Sequence, residues 1–473
     1  MRTAFVASLL LSAGHAFAHA WQEPEKPAAP AKQATAIPAV TEERVVAAYA
    51  DARAACKEVL GVELDSLPPL KLVAPRELGD AVAAENLPVF AQREPDEKKA
   101  KAGAAAAGRQ FAQVAYAKYA WSTKSFLVVP KNWERFARAL KRPELTADNA
   151  LRAVMVHELC HAIDDRKFDI GKCLLGANTV EAVDAFSAVL EGHAQLVARR
   201  VCKVRGWSDG FDAFTGAIGA IPEGAADGEA MMLQLRTAAA ALSTAYVDGE
   251  RFVAAIVEAR PDSGASDVFR SPPKDADTVL HPGWYLDPKS KPAVLHDPEP
   301  AIEAFVAGFD AEVWTATRTS PTPKQLASGL TMLPKEDVDA LVASMRALRY
   351  VQVVPTASPQ SKLVYAIVME FDGEASARRW VEVSDVVSRK KDETMRKGAV
   401  RIVSSSTKAL DEGPVRGFLQ RKAMTAGGPE FDVVSIDAWR GRLVVETLYS
   451  GEPPTDEEHV RLVDALLSAV RKR

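Results

Sequence analysis

Residues 157–170 read HELCHAIDDRKFDI and begin with an H-E-x-x-H motif. The motif lies in an apolar run behind a capping signal, which predicts a helix that begins near residue 147. Four residues of helix advance by about 400°, so His157 and His161 project from one face, one turn apart. This spacing suits two nitrogen ligands of one Zn²⁺. Glu158 is offset by about 100° and is predicted to act as general base on the water that the metal activates.

Two glutamates of the next predicted helix, residues 180–201, compete for the position of third ligand. Glu181 follows His161 after 19 intervening residues, which is the spacing of thermolysin-like enzymes. Glu191 follows after 29 residues and precedes Gly192. A glycine is costly in mid-helix, but it would let two helices approach closely around the metal. We favour Glu191 as the ligand, and Glu181 is then stabilised by the helix dipole.

Three other side chains near the motif are assigned different roles. Cys160 lies about 300° around the helix from His157 and is interpreted as a packing residue. His193 lies two residues beyond Glu191, points about 200° away from it, and is interpreted in the same way. Asp164 shares the face of the two motif histidines and is a candidate to orient one of their N–H groups, with a solvated acid as the alternative.

A proline-punctuated segment after these helices offers two candidate hydrogen-bond donors. Hydrolysis of an amide benefits from a donor aimed at the developing oxyanion. His281 and Tyr285 are the candidates for this catalytic role. The alternative is that His281 caps a turn and Tyr285 packs in the core.

Residues 110–290 resemble a group of bacterial zinc metallopeptidases of the gluzincin class. In that group, H-E-x-x-H-A-x-x-D-x-x-F-D-L precedes a V-E-G-D-A helix, a Y-x-x-G-x-x-F-V element and a P-P-x-x-x-E-x-x-L-H-P-x-x-Y element. Two positions depart from the pattern, since His193 stands where the relatives carry an acid and Asp277 where they carry a glutamate. The matching segments here are HELCHAIDDRKFDI at 157–170, AVLEGHA at 188–194, YVDGERFV at 246–253 and SPPKDADTVLHPGWY at 271–285.

The resemblance implies a mostly helical, zincin-like metallopeptidase domain that binds Zn²⁺ through His157, His161 and Glu191, with Glu158 as the catalytic base. It also implies that the strand before the metal helix is an edge strand that pairs with an extended peptide or protein substrate. One alternative is a non-catalytic binding protein stabilised by zinc, although structure alone would not need Glu158. Another is a zinc amidase that acts on a non-peptide amide, for example in the cell wall.

The start of the chain predicts export. Residues 1–20 combine a positive start, an apolar run and small-x-small cleavage patterns, as in a secretory signal peptide. Residues 21–40 are rich in proline and alanine and are predicted to form a linker. No later segment offers the roughly 18 uncharged apolar residues that a membrane span needs. The net charge of -4 shows no basic excess, which argues against nucleic-acid binding.

With 473 residues, the chain is longer than one domain normally is, and its organisation predicts an α+β protein with two domains. The zincin-like domain is assigned to residues 41–335, and it begins with a helix capped by Thr41. Residues 98–109 are interpreted as a solvated loop or helix end, and residues 110–130 as two short strands that form a small edge sheet.

A second domain, residues 336–473, is predicted to be α+β with a mainly antiparallel sheet. Its role and its partner are not readable from the sequence. The predicted helices lie near 335–348, 374–389 and 456–471. The predicted strands are 350–354, 363–371, 400–404, 417–424, 431–438 and 443–449.

Overall fold

The computed structural model describes residues 37–472, with gaps at 64–65, 67, 93–95, 178, 220–243, 320–325, 327–329, 331–332, 358–361, 396–400, 412, 414 and 426–427. The predicted signal peptide and most of the predicted linker lie outside this described part. Within the described part, no helix is both long and apolar enough to cross a membrane. The chain divides into two compact units, one of which ends at Ser290 while the other continues from Lys291.

The first unit is mostly helical, with a small sheet near its N-terminus. Its helices are α1 Glu42–Leu60, α2 Pro75–Ala91, α3 Glu97–Val114, α4 Pro130–Ala139, α5 Asp148–Phe168, α6 Ile170–Gly176, α7 Val180–Arg205, α8 Ser208–Gly219, α9 Gly249–Ala259, α10 Gly264–Arg270, α11 Ala276–Leu280 and α12 Pro282–Leu286. Its strands are β1 Leu70–Leu72, β2 Ala117–Ala120 and β3 Ser125–Val128. The strand order is β1-β3-β2, so β2 forms an edge of this sheet.

The predicted elements around the motif form close to where they were expected. Helix α5 begins at Asp148, but its cap is Ala147, which makes no side-chain hydrogen bond, so the predicted capping signal is wrong. At α1, the predicted cap is confirmed, since the Thr41 hydroxyl accepts a hydrogen bond from the Arg44 N–H at 3.4 Å. Helix α5 is buried along most of its length, because it lies in a core shared with α1 and α7.

The predicted loop at 98–109 is wrong, because this segment belongs to α3. Its alanines form a narrow face that packs on α2, where Gly108 meets Gly79 so closely that a Cβ on Gly108 would lie 2.2 Å from the Gly79 carbonyl oxygen. The predicted hairpin is confirmed as β2 and β3, which pair antiparallel. Residues 111–114, assigned to the first strand from their apolar side chains, instead end α3.

The second unit is built on one antiparallel sheet of seven strands. The strand order is β5-β6-β7-β11-β10-β9-β8. The six strands predicted from the sequence are confirmed as β6 Met345–Pro355, β7 Val364–Phe371, β8 Arg401–Leu410, β9 Arg416–Thr425, β10 Phe431–Arg440 and β11 Leu443–Gly451. The remaining elements are β4 His296–Asp297, α13 Glu299–Val306, β5 Trp314–Thr319, α14 Lys335–Ser344, α15 Glu374–Met395, α16 Asp456–Ala469 and β12 Arg471–Lys472.

Helices cover both faces of this sheet. Side chains of α13 and α16 form one apolar cluster with β6, β7, β10 and β11. Side chains of α14 and α15 form a second cluster with β6, β7 and β11. The unit is therefore a three-layer arrangement of helices, sheet and helices.

The second unit begins before the predicted boundary at 335/336. Strand β5 pairs antiparallel with β6, from Trp314 opposite Pro355 to Thr319 opposite Tyr350. Because β5 completes the edge of the seven-stranded sheet, residues 291–335 belong with the C-terminal sheet rather than with the helical unit. The sequence WTATRT carries few apolar side chains, as is usual at an exposed edge, and so gave no strong strand signal.

A half-buried acid on β10, Asp437, makes the stability of the second unit dependent on pH. Asp437 accepts a hydrogen bond from the Ser384 hydroxyl of α15 at 2.9 Å. Burial, with the nearby charge of Asp385, raises the pKa of Asp437 to about 6 from a model-compound value of 3.8. The folded state therefore holds this proton more tightly than the unfolded state, and stability falls as the pH rises from about 4 to about 6.

Asp437→Asn is expected to stabilise the second unit by roughly 1–3 kcal/mol at pH values well above 6, because a partly desolvated negative charge is removed. The gain is expected to disappear near pH 4, where the native carboxyl is already neutral. Hydrogen exchange of the β10 amides, expressed as protection factors at both pH values, measures the difference. Equal protection of both proteins throughout this range would contradict the assignment.

Candidate metal centre

Helices α5 and α7 pack side by side and bring three candidate ligands to one point. The Nε2 atoms of His157 and His161 lie 3.1 Å apart. Oε2 of Glu191 lies 3.1 Å from Nε2 of His157 and 3.4 Å from Nε2 of His161. Ligand atoms about 2.0–2.1 Å from a tetrahedral zinc ion are themselves about 3.3 Å apart, so this donor set fits Zn²⁺. Glu181, the alternative ligand, lies in the first turn of α7.

The imidazoles and the carboxylate of the centre shift each other's pKa values. Burial opposes ionisation of Glu191, but the two adjacent imidazoles outweigh it and hold the pKa of Glu191 well below its ordinary value. Burial likewise opposes protonation of His161, but the charges of Glu191 and Glu158 outweigh it and raise the pKa of His161. A metal ion and a proton compete for the same His161 nitrogen, so metal uptake is favoured at higher pH.

Gln195 contacts the rear nitrogen of His157. Its Oε1 lies 3.3 Å from Nδ1 of His157, and the side chain is buried. A proton on Nδ1 that is donated to this amide oxygen leaves Nε2 unprotonated beside Glu191, as a metal ligand requires. Gln195 was not predicted from the sequence, although it lies one helical turn after Glu191 on the same face of α7.

Gln195→Ala is expected to weaken zinc binding by roughly 10–100-fold, because the tautomer and ring orientation of His157 are then no longer held. Competition with a chromophoric chelator measures the affinity. Gln113→Ala, on exposed surface of α3, is the control and is expected to bind zinc as the wild type does. Unchanged affinity in Gln195→Ala would show that the amide does not support the ligand.

The carboxylate of Glu158 contacts the edge strand. Its Oε2 accepts a hydrogen bond of 2.6 Å from the backbone N–H of Tyr119 in β2. Glu158 is only 7% exposed. The residue predicted to be the base is therefore fixed by the backbone of the strand that borders the centre, a contact that no sequence pattern indicated.

An ion pair beside the centre, of which only Glu85 is fully buried, was not predicted from the sequence. Nζ of Lys118 lies 3.0 Å from Oε2 of Glu85, and Glu85 also accepts hydrogen bonds from the N–H and hydroxyl of Ser122. Burial alone would lower the pKa of Lys118, but the charges of Glu85, Glu158 and Glu191 outweigh it and raise that pKa. Lys118 therefore keeps a positive charge within electrostatic range of the candidate base and ligand.

Aromatic rings fix the position of the His157 imidazole. Tyr246 stacks on it, with ring centroids 5.3 Å apart and planes inclined by 8°. Phe214 of α8 contacts the same imidazole, with centroids 6.2 Å apart. Tyr246 belongs to a segment that carries the gluzincin resemblance, but the pattern alone assigned it no role.

A backbone contact holds α7 in place directly beside Glu191. A Cβ on Gly192 would lie 2.1 Å from the carbonyl carbon of Gly249 at the start of α9. A Cβ on Gly249 would in turn lie 2.2 Å from the carbonyl oxygen of Ala188. The close approach predicted at Gly192 therefore takes place, and the partner is α9.

Gly192→Ala is expected to destabilise the chain by roughly 1–3 kcal/mol, because a methyl group at this position forces α7 and α9 apart. The same displacement moves Glu191 and is expected to lower zinc affinity. Thermal unfolding without metal and zinc competition measure the two effects separately. Gly176→Ala, where a Cβ would meet nothing within 4 Å, is the matched control. Wild-type stability of Gly192→Ala would contradict the close contact.

His281 and Tyr285, the predicted oxyanion donors, make other contacts in the first unit. The His281 ring lies against Trp284, with centroids 4.1 Å apart. The Tyr285 hydroxyl donates to the Ser271 carbonyl at 2.8 Å, and its ring packs on Phe252. None of these contacts involves a candidate metal ligand, so the catalytic role of both residues stays a prediction.

No protein-family model matches the chain, and a comparison with curated proteins finds no match. Function is therefore inferred from the residues of the centre itself. Its donors are two imidazoles and one carboxylate, which can hold a divalent cation. Beside them lie a second carboxylate that is not part of the ligand group and one partly exposed ammonium group. Such a set can bind a metal ion and move a proton next to it.

Proposed function

We propose that this chain is an exported, zinc-dependent metallopeptidase of the gluzincin type. The observation that carries the proposal is the position of Glu158, next to a ligand in sequence but bonded to the edge strand rather than included in the ligand group. A metal site with a purely structural role needs only its ligands, so a separately held carboxylate supports a catalytic role. Export is proposed from residues 1–20 alone.

The proposed mechanism assigns one task to each residue of the centre. His157, His161 and Glu191 would hold the ion, and zinc would supply Lewis acidity toward the scissile carbonyl and the attacking water. Glu158 takes a proton from the water and passes it to the nitrogen of the leaving amine. The Tyr119 N–H keeps the Glu158 carboxylate in position, and Gln195 keeps His157 in the tautomer that binds metal.

The edge strand supports a peptide as the substrate. Strand β2 pairs with β3 along one side, and the N–H of Tyr119 is used by Glu158 rather than by that pairing. An extended chain added to such an edge can bond to main-chain groups of β2 other than the Tyr119 N–H, and these bonds do not depend on its side chains. Peptide recognition next to the candidate base is therefore favoured over recognition of a small amide in a closed pocket.

Incubation of the zinc-loaded mature chain, residues 21–473, with an unfolded protein such as alkylated casein tests the proposal. Mass spectrometry is expected to detect new peptide termini, which a chelator suppresses and added zinc restores. Bound zinc without cleavage of any peptide would overturn the proposal in favour of a zinc-stabilised binding protein. Cleavage confined to cell-wall amides would overturn it in favour of an amidase.

A further inference from the structure

A second group of metal-binding side chains lies on the same two helices as the candidate metal centre. It consists of Cys160 and Asp164 of α5 and His193 of α7. Nδ1 of His193 lies 2.8 Å from Oδ2 of Asp164. Sγ of Cys160 lies 3.6 Å from that nitrogen and 3.7 Å from that oxygen. Asp164 thus contacts His193, whereas the sequence analysis considered it as a partner of the motif histidines.

We propose that Cys160, Asp164 and His193 form a second binding site for a zinc-like divalent cation, separate from the candidate metal centre. This site would join α5 to α7 at a second point. It requires a ligand role for Cys160 and His193, both of which were interpreted as packing residues from helix geometry alone.

The distances within the group suit a shared ion. Around a tetrahedral zinc ion, a sulfur at about 2.3 Å and a nitrogen or oxygen at about 2.0–2.1 Å are about 3.6 Å apart. The two distances from the Cys160 sulfur, 3.6 and 3.7 Å, have this value. The distance between His193 and Asp164 would have to open by about half an ångström, from a hydrogen bond to a pair of ligands.

The arrangement does not suit a nucleophilic thiol. In a catalytic group of thiol, imidazole and acid, the acid and the nucleophile contact opposite nitrogens of the ring. Here Cys160 and Asp164 both approach the same nitrogen, Nδ1 of His193. Three ligand atoms that converge on one point are the arrangement expected for an ion.

Burial and chemistry also favour a transition metal. Cys160 and Asp164 are each 1% exposed, and a carboxylate so deeply buried needs a positive partner. Sulfur and nitrogen ligands select zinc-like ions over magnesium or calcium, which prefer sites made of oxygen ligands. All four cysteines have free thiols, so the Cys160 sulfur is available as a ligand.

Titration of the metal-free mature chain with Co²⁺ tests the proposal, because only a thiolate ligand gives cobalt an intense near-ultraviolet charge-transfer band. The wild type is expected to bind two equivalents and to develop this band. Cys160→Ser is expected to lose the band and one equivalent, whereas Cys173→Ser, on α6, is expected to keep both. Absence of the band from the wild type, or its persistence in Cys160→Ser, would overturn the proposal.

Two further variants serve as controls. One distinguishes cobalt bound at this site from cobalt bound at the candidate metal centre, and the other distinguishes loss of a ligand from unfolding. Glu191→Ala is expected to lose one cobalt equivalent and to keep the band, whether or not the chain is a peptidase. Asp164→Asn retains the side-chain shape and is expected to bind cobalt at the second site at least 10-fold more weakly, with a wild-type circular dichroism spectrum. A folded Asp164→Asn protein with wild-type affinity at this site would exclude Asp164 as a ligand and overturn the proposed set.

Discussion

Glu191→Ala is expected to abolish zinc binding at the candidate metal centre. Of the three converging donors, only the Glu191 carboxylate brings a negative charge, and the remaining histidines, His157 and His161, leave the ion half coordinated. The loss is expected to exceed the roughly 100-fold cost of removing an outer partner such as Gln195. Zinc content and chelator competition, both in a Cys160→Ser background that removes the proposed second site, measure this loss.

Glu181→Ala is the matched control for this experiment. Glu181 lies in the first turn of the same helix, so its removal changes the charge of α7 equally without removing a converging donor. This variant is expected to retain its zinc. If Glu181→Ala loses zinc and Glu191→Ala retains it, the third ligand is Glu181, at the thermolysin-like spacing. Glu191 would then be excluded as the ligand.

Glu158→Gln is expected to reduce peptide hydrolysis by about 10²–10⁴-fold while zinc stays bound. The amide has nearly the shape of the carboxylate, and its oxygen can still accept the Tyr119 N–H, so the local structure is expected to persist. It cannot take a proton from water at neutral pH. Hydrolysis of a fluorogenic peptide and zinc content, measured on the same preparation, separate the loss of the base from the loss of metal.

Glu181→Gln controls for the loss of one acidic group from the same unit, and it is expected to hydrolyse the peptide at the wild-type rate. Wild-type activity of Glu158→Gln would mean that another group serves as the base. Hydrolysis lost together with zinc would mean that Glu158 contributes to metal binding, in conflict with its contact to β2.

The parts of the centre that depend on local geometry were predictable from the sequence. The i, i+4 spacing in a helix brings His157 and His161 together whatever surrounds them. Gly192 marked the close packing beside Glu191, because a glycine in mid-helix needs a steric reason. The six predicted strands of the second unit could be predicted in the same way, since alternation of apolar and polar side chains is also a local signal.

The surroundings of these residues were not predictable, because they depend on elements far apart in the chain. Gln195 lies 38 residues from His157, and Tyr119 lies 39 residues from Glu158. No period or propensity relates such positions, and only the packing of α5 against α7 and β2 brings them into contact. The domain boundary was missed for the same reason, since β5 was recognisable only by its pairing with β6.

The hydrogen bond from the Tyr119 N–H to Glu158 makes the proposed enzyme sensitive to substrate length. A peptide that pairs with β2 would add main-chain bonds to the strand that also positions the base, and would so hold that strand more firmly. Binding energy from residues remote from the scissile bond is then used to orient a catalytic group, and it appears in kcat rather than only in KM. Short peptides would therefore be turned over slowly even at saturation, whereas extended ones would be turned over quickly.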